Sequence, residues 1–224
     1  MKDKTIFFKE NNKKTEEKIA KVLLSEGAVT LNPDEPFTYA SGIRSPIYCD
    51  NRLLISNPQA RELVIEAFCL AIKEQGLTNA VIAGTATAGI PWAAWIADKL
   101  QRPMIYVRSS AKGHGRQNQI EGKVTKGEDV IVIEDLISSG GSSVKAIEAL
   151  QAEGMNVKSC LAIFTYEMKN ATEAFQAIQI PLFTLSKFSA LIEVAKELGN
   201  LSDEQCQTVL QWNQDPQKWS ERFK

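Results

Sequence analysis

The sequence predicts an α/β protein in which a central parallel sheet is flanked by helices on both faces, with a small cap on the N-terminal side. Three observations lead there. Short apolar runs alternate with helix-spaced patterns from about residue 57 to about residue 165, the signature of strand–helix–strand units. The run Val130–Ile133 is apolar and β-branched at every position, as a strand covered on both faces must be. The chain of 224 residues is 44% hydrophobic and 24% charged, an ordinary balance for a globular protein with a buried core.

The elements follow in order. Residues 1–14 are polar and read as a flexible extension. Residues 15–56 form an N-terminal helix and a cap segment. Ile19, Val22 and Leu23 make one apolar stripe that ends at Gly27, and Ile47-Tyr48-Cys49 is a short β-like run. A core spans 57–200. Asn57-Pro58 is a cap and first-turn pair for a helix carrying Leu63, Val64, Ala67, Phe68, Ala71 and Ile72, and Gly76 closes it. Ala80–Ala83 is a strand, 84–89 a loop, and a helix starts near Pro91. Met104–Val107 is a strand followed by a long polar loop, 108–123. After Val130–Ile133 comes a helix, Ser142–Glu153, closed by Gly154, then a strand, Val157–Phe164. From Ser186 onward the chain reads as helical, and 201–224 is a C-terminal helical segment.

Net charge is −1, which argues against a protein that coats nucleic acid. No stretch is apolar and long enough to span a membrane, and no signal core opens the chain. The four cysteines, Cys49, Cys69, Cys160 and Cys206, form no Cys-x-x-Cys pair. Cys69 and Cys160 sit in apolar runs and read as core thiols, and a reducing cytoplasm is the expected setting.

The most informative segment is Val130-Ile-Val-Ile-Glu134-Asp135-Leu136-Ile137-Ser138-Ser139-Gly140-Gly141-Ser142-Ser143. In open α/β sheets, ligands bind beyond the C-terminal ends of the strands. Small residues let main-chain N–H groups converge on an anion, and the helix N-terminus adds its positive dipole end. Glu134 and Asp135 would repel a phosphate unless they face another part of the ligand. Ribose hydroxyls are such a part, so a sugar phosphate accounts for acids and cradle together. A Walker-type loop is excluded, because no Gly-Lys-Ser/Thr follows the glycines.

This segment resembles the phosphoribosyl diphosphate (PRPP) motif of type I phosphoribosyltransferases. The resemblance implies that Glu134 and Asp135 hold the ribose 2′ and 3′ hydroxyls, with Leu136, Ile137, Ser138, Ser139, Gly140, Gly141 and Ser142 around the 5′-phosphate. Two further stretches, Phe37–Asp50 and Arg108-Ser-Ser-Ala-Lys112-Gly-His114-Gly, resemble the orotate phosphoribosyltransferase family. That implies a type I phosphoribosyltransferase fold, with a five-stranded parallel sheet and a small N-terminal hood. It implies a homodimer in which loop 108–122 is shared across the interface. Arg108, Lys112 and His114 would contact pyrophosphate, Thr85 and Ala86 would lie in a pyrophosphate loop at Gly84–Gly89, and Ser138 would touch orotate. Catalysis would rest on Asp135, Glu134, Lys112 and His114. Mg²⁺ is expected through PRPP and pyrophosphate, with no dedicated protein metal site. Family members carry lysines at the places of Ala40, Ser109 and Ala88, and their orotate-contacting arginine falls near Tyr166. Arg44, in the hood segment, is therefore the candidate partner for the orotate carboxylate.

Independently of the resemblance, the loop 108–122 follows a strand, starts at the ligand edge of the sheet and holds the only histidine of the chain. Cations placed where pyrophosphate charge develops would stabilise the transition state. Two rivals remain at this level: a phosphoribosyltransferase for a purine base, and a PRPP-sensing regulator without turnover. The hood stretch argues against the first. The basic loop and the absence of an overall basic charge argue against the second.

Overall fold

The computed structural model describes residues 11–110 and 119–223. Helix α1 is Asn11–Ser25, and the hood strands are β1 Val29–Leu31, β2 Phe37–Thr38, β3 Arg44–Ser45 and β4 Ile47–Cys49, followed by a 3₁₀ turn over Asn51–Ser56. Then come α2 Pro58–Glu74, β5 Val81–Thr85, α3 Gly89–Leu100, β6 Met104–Val107, β7 Ile120–Glu121, β8 Asp129–Ile137, α4 Gly141–Ala152 and β9 Asn156–Thr165. The chain ends with α5 Lys169–Ala177, β10 Leu182–Lys187, α6 Phe188–Glu197, α7 Asp203–Gln214, α8 Pro216–Ser220 and a 3₁₀ turn over Glu221–Phe223.

The main sheet has the order β10-β9-β8-β5-β6-β7. The first five are parallel, and the two-residue β7 closes the edge antiparallel to β6. The alternation of side chains along a strand splits the core into two layers. Ile131 and Ile133 of β8 pack with Ile82, Leu161, Ile163 and the apolar faces of α1, α2, α3, α6 and α7. Val130 and Val132 pack the other way, with Val81, Ala83, Ala162 and residues of α4 and α5. Helix α2 starts as its sequence requires: the Asn57 side chain accepts from the N–H groups of Gln59 and Ala60 at 2.9 and 3.1 Å, with Pro58 at the first helical position.

Several boundaries differ from the sequence expectation. Helix α1 begins at Asn11, so residues 11–14 are helical rather than part of a flexible extension. Lys13 and Lys14 are exposed on a helix whose other face buries Ile19, Ala20 and Leu23. Helix α3 starts at Gly89, before Pro91, and β5 runs to Thr85. Strand β8 continues through Glu134 and Asp135 to Ile137, because β9 pairs with it as far as Thr165. Ladder pairing outweighs the poor strand propensity of the two acids. Residues 108–123 are not all loop: Ile120 pairs with Val107 and Glu121 with Tyr106. Helix α5 and strand β10 had no sequence assignment, and Ser186 and Lys187 belong to that strand. Cys160 is fully buried, but Cys69 is only half-buried, at the edge of α2's apolar stripe.

Candidate active site

Three parallel strands end at one edge of the sheet, and their termini build the site. Strand β5 supplies Thr85, whose hydroxyl donates to the Ile133 carbonyl of β8 at 3.1 Å. Helix α3 starts hard against this junction. A Cβ on Gly89 would lie 2.4 Å from the Ile133 carbonyl oxygen and 2.6 Å from Thr85 Oγ1, and one on Gly84 would lie 2.8 Å from the Gly89 carbonyl oxygen. Only residues without a side chain allow this helix to approach the two strands so closely. Ala86 follows half-buried, its N–H donating to the Val107 carbonyl at 2.8 Å.

Strand β8 brings in the two acids. Glu134 is buried and accepts from the Ser143 hydroxyl at 3.0 Å and from the Asp135 N–H at 3.1 Å. Asp135 is half-buried, and its main-chain carbonyl accepts from Asn51 Nδ2 at 2.6 Å. The neighbouring carboxyl groups interact, and each is among the causes of the other's shift. Burial, then the charge of Asp135, lifts the Glu134 carboxyl from its ordinary 4.5 to about 7. Burial also raises Asp135. The pair therefore holds a proton more readily than free carboxylates do, as two buried like charges must.

Beyond β8 the chain turns through Ser138 and Ser139 to Gly140, which sits at φ +78° and caps α4 without a side chain. The left-handed conformation there favours glycine. Ser138, Ser139, Gly141 and Ser142 are exposed, while Leu136 is half-buried and Ile137 is buried under the turn. The first N–H groups of a helix have no intrahelical acceptor, and here no capping side chain takes them. The turn thus presents main-chain donors, serine hydroxyls and a helix dipole to solvent, beside two carboxyls.

Arg108 stands at the end of β6. Its main chain is tied to Gln119 by two bonds: its N–H donates to the Gln119 carbonyl at 2.9 Å, and its carbonyl accepts from Gln119 Nε2 at 2.8 Å. Its guanidinium lies 3.6 Å from Glu121. Lys112 and His114 lie outside the described residues. In the hood, Arg44 is half-buried; its Nη1 donates to the Pro36 carbonyl at 3.3 Å and its N–H to the Ser220 hydroxyl at 2.8 Å. Among the described residues no group of three or more His, Cys, Asp or Glu side chains is placed to hold a metal ion.

Residues 54–180 match the phosphoribosyl transferase domain family. The orotate phosphoribosyltransferase of Coxiella burnetii is 52% identical over 201 residues, which cover 90% of this chain and 96% of that protein. The chain belongs to the orotate phosphoribosyltransferase family. The solved orotate phosphoribosyltransferase of Aeropyrum pernix superposes with a TM-score of 0.70 at 32% identity, over 82% of this chain and 99% of that one. The UMP synthase of Leishmania donovani superposes with a TM-score of 0.75 at 27% identity, over 90% of this chain and 42% of that longer one.

For this orotate phosphoribosyltransferase chain, the structure adds two residues to those the sequence singled out and gives contacts to a third, Tyr166. Asn51 is fully buried and fastens the hood to the main chain of Asp135. Ser143 lies one residue beyond the expected cradle and holds Glu134 from below. Tyr166 follows β9; its N–H donates to the Ile137 carbonyl at 3.1 Å, and its hydroxyl lies 3.4 Å from that of Tyr39 in the hood. Burial raises the pKa of both tyrosines, so both stay neutral. Asn51 carried a weak signal, a polar residue beside a short β-like run. The other two depend on contacts between segments distant in sequence or on strand length.

The Glu134 environment predicts a pH dependence. The folded state binds the proton more tightly than the unfolded chain. The resulting stabilisation is complete below about 4.5 and is lost as pH rises through about 7. Relative to Glu134→Gln, the wild-type Tm should fall between about pH 5 and about pH 8. Parallel Tm profiles for the two proteins would contradict it.

Proposed function

We propose that this chain transfers the 5-phosphoribosyl group of PRPP to orotate, giving orotidine 5′-phosphate and pyrophosphate in pyrimidine (UMP) synthesis. The observation that carries the reading is the end of β8. Two adjacent carboxyls stand beside an uncapped helix N-terminus rich in serine and glycine, in a chain half-identical to an orotate phosphoribosyltransferase over nearly its whole length. The exposed turn Ser138–Ser142 receives the 5′-phosphate through main-chain N–H groups and hydroxyls. Asp135 and Glu134 accept from the ribose hydroxyls and offset the positive charge of an oxocarbenium-like sugar as the C1–O bond breaks. Binding of the ribose favours their ionised forms, because donors now face them.

Thr85 and Ala86 take the pyrophosphate, and Arg108, Lys112 and His114 supply cationic or proton-donating groups where its charge grows. Arg108 fits that place, at the base of a hairpin that leaves the ligand edge of the sheet. The loop 108–122 is read as reaching a second copy's site in a homodimer. Mg²⁺ accompanies the phosphates and neutralises their charge; the carboxylates and phosphates are the oxygen donors this ion takes. Free cysteines and the absence, among the described residues, of a helix able to cross a membrane suit a cytoplasmic setting.

Ser138 and Arg44 are assigned to orotate. Tyr166 offers no charge to its carboxylate, whereas one edge of the Arg44 fork is engaged by Pro36 and a guanidinium has further N–H donors. The test is the loss of orotate ultraviolet absorbance on mixing purified protein with orotate, PRPP and Mg²⁺. Absorbance that stays constant while PRPP binds would favour another base or a regulator. Arg44→Ala should raise the KM for orotate at least about tenfold, the scale of a lost charge-assisted hydrogen bond. An unchanged KM would remove Arg44 from the base site.

A further inference from the structure

The C-terminal helices have no part in the site described so far, yet they touch both sides of its base-facing half. Trp212 of α7 is buried, its ring 5.8 Å from that of Tyr166 and 6.0 Å from that of Phe188. From the next residue, Asn213 Nδ2 donates to the Tyr166 carbonyl at 2.5 Å. One helix further, the buried Ser220 hydroxyl accepts from the Arg44 N–H at 2.8 Å, and α8 packs on β3. The segment thus holds the sheet edge with one side chain and the hood with another.

Between those two anchor points lies a polar bridge. The Tyr39 and Tyr166 hydroxyls are 3.4 Å apart; that of Tyr39 donates to the Ile47 carbonyl at 2.8 Å, and Ser45 Oγ lies 3.0 Å from it. Such a hydroxyl pair tolerates little change in spacing before it breaks.

We propose that α7 and α8 form a clasp that holds the hood at its working distance from the end of β9, making Asn213 and Ser220 positioning residues for the base half of the site. This rests on the reading that the hood receives orotate. Neither residue hydrogen-bonds β8 or the turn before α4 directly; the one link is through Tyr166, whose N–H donates to the Ile137 carbonyl, so the clasp acts first on the orotate half.

The test uses the full-length protein with Asn213→Asp, which keeps the shape but sets an oxygen against the Tyr166 carbonyl, Ser220→Ala, and the double variant. Amide hydrogen exchange over residues 37–49 reports the clasp without catalysis, and steady-state kinetics report its role. In the double variant, exchange at Tyr39 and Arg44 should quicken and the KM for orotate should rise about tenfold, the sum expected for two lost bonds, with the KM for PRPP within about twofold. Unchanged exchange overturns the clasp. Faster exchange with an unchanged orotate KM, or with both KM values rising together, overturns the positioning role. A wild-type protein that does not consume orotate defeats the functional reading instead, and hydrogen exchange alone then decides whether the clasp exists.

Discussion

Asp135→Asn should lower kcat/KM for phosphoribosyl transfer by at least about 100-fold, or roughly 3 kcal/mol of transition-state stabilisation. The substitution keeps the shape of the side chain. The main chain stays fastened by Asn51, whose amide bonds the carbonyl of residue 135 rather than its carboxylate. What disappears is the negative charge that the proposed function sets opposite a sugar becoming cationic. A second, independent readout follows from the pair. The charge of Asp135 is one cause of the raised Glu134 pKa, so its removal should bring Glu134 down from about 7. Turnover within about tenfold of wild type would mean that the carboxylate does not face the reacting ribose. A Tm loss larger than the few degrees expected for an isosteric change would mean that the residue is structural first.

Gly89→Ala should cost about 3 kcal/mol of stability and abolish most activity, because overpacking a rigid junction forces the main chain to move. The added methyl group would sit 2.4 Å from the Ile133 carbonyl and 2.6 Å from the Thr85 hydroxyl, the two partners of the bond that joins β5 to β8. Neither is the far end of a flexible side chain. Relief requires α3 to retreat or β8 to shift, and Glu134 is the next residue along β8. Gly141→Ala is the control. Its Cβ would meet nothing nearer than Ser139 Oγ at 3.9 Å, so its Tm should hold or rise slightly, as alanine at a helical position loses less entropy than glycine. Equal Tm values for the two variants would show that the approach of α3 to β8 is not a constraint.

The two cases differ in how far they can be read from the chain alone. Asp135 announces itself, since a pair of acids after four β-branched residues and before a Ser/Gly turn suits little besides a sugar phosphate. Gly89 does not. In the sequence it is one of two glycines flanking a short loop, and its importance lies in its close approach to a strand more than forty residues away, where an added Cβ would lie 2.4 Å from the Ile133 carbonyl oxygen. Asn51 and Ser143 belong with Gly89: each is polar and buried, and neither showed its role until its partner was placed. Arg44 was legible as a cation in the hood segment. Its engagement with Pro36 and Ser220 was not.

What the sequence by itself determined is the periodic part of the protein. The unbroken apolar run Val130–Ile133 requires a strand covered on both faces, and the helical spacing of α2 dictates which of its faces is apolar. Apolar faces bury against one another in few ways, so a parallel sheet between two helical layers followed. The Ser/Gly turn proposed to hold the phosphate was equally local, because glycine freedom and a helix N-terminus act over a handful of consecutive residues. Tertiary structure alone decided the extension of β8 through two acids, the burial that raises their pKa values, and the junction of hood, sheet edge and C-terminal helices. These outcomes depend on neighbours that lie far off along the chain. Burial and ladder pairing there outweigh local propensity, and they are set only when the whole chain has packed.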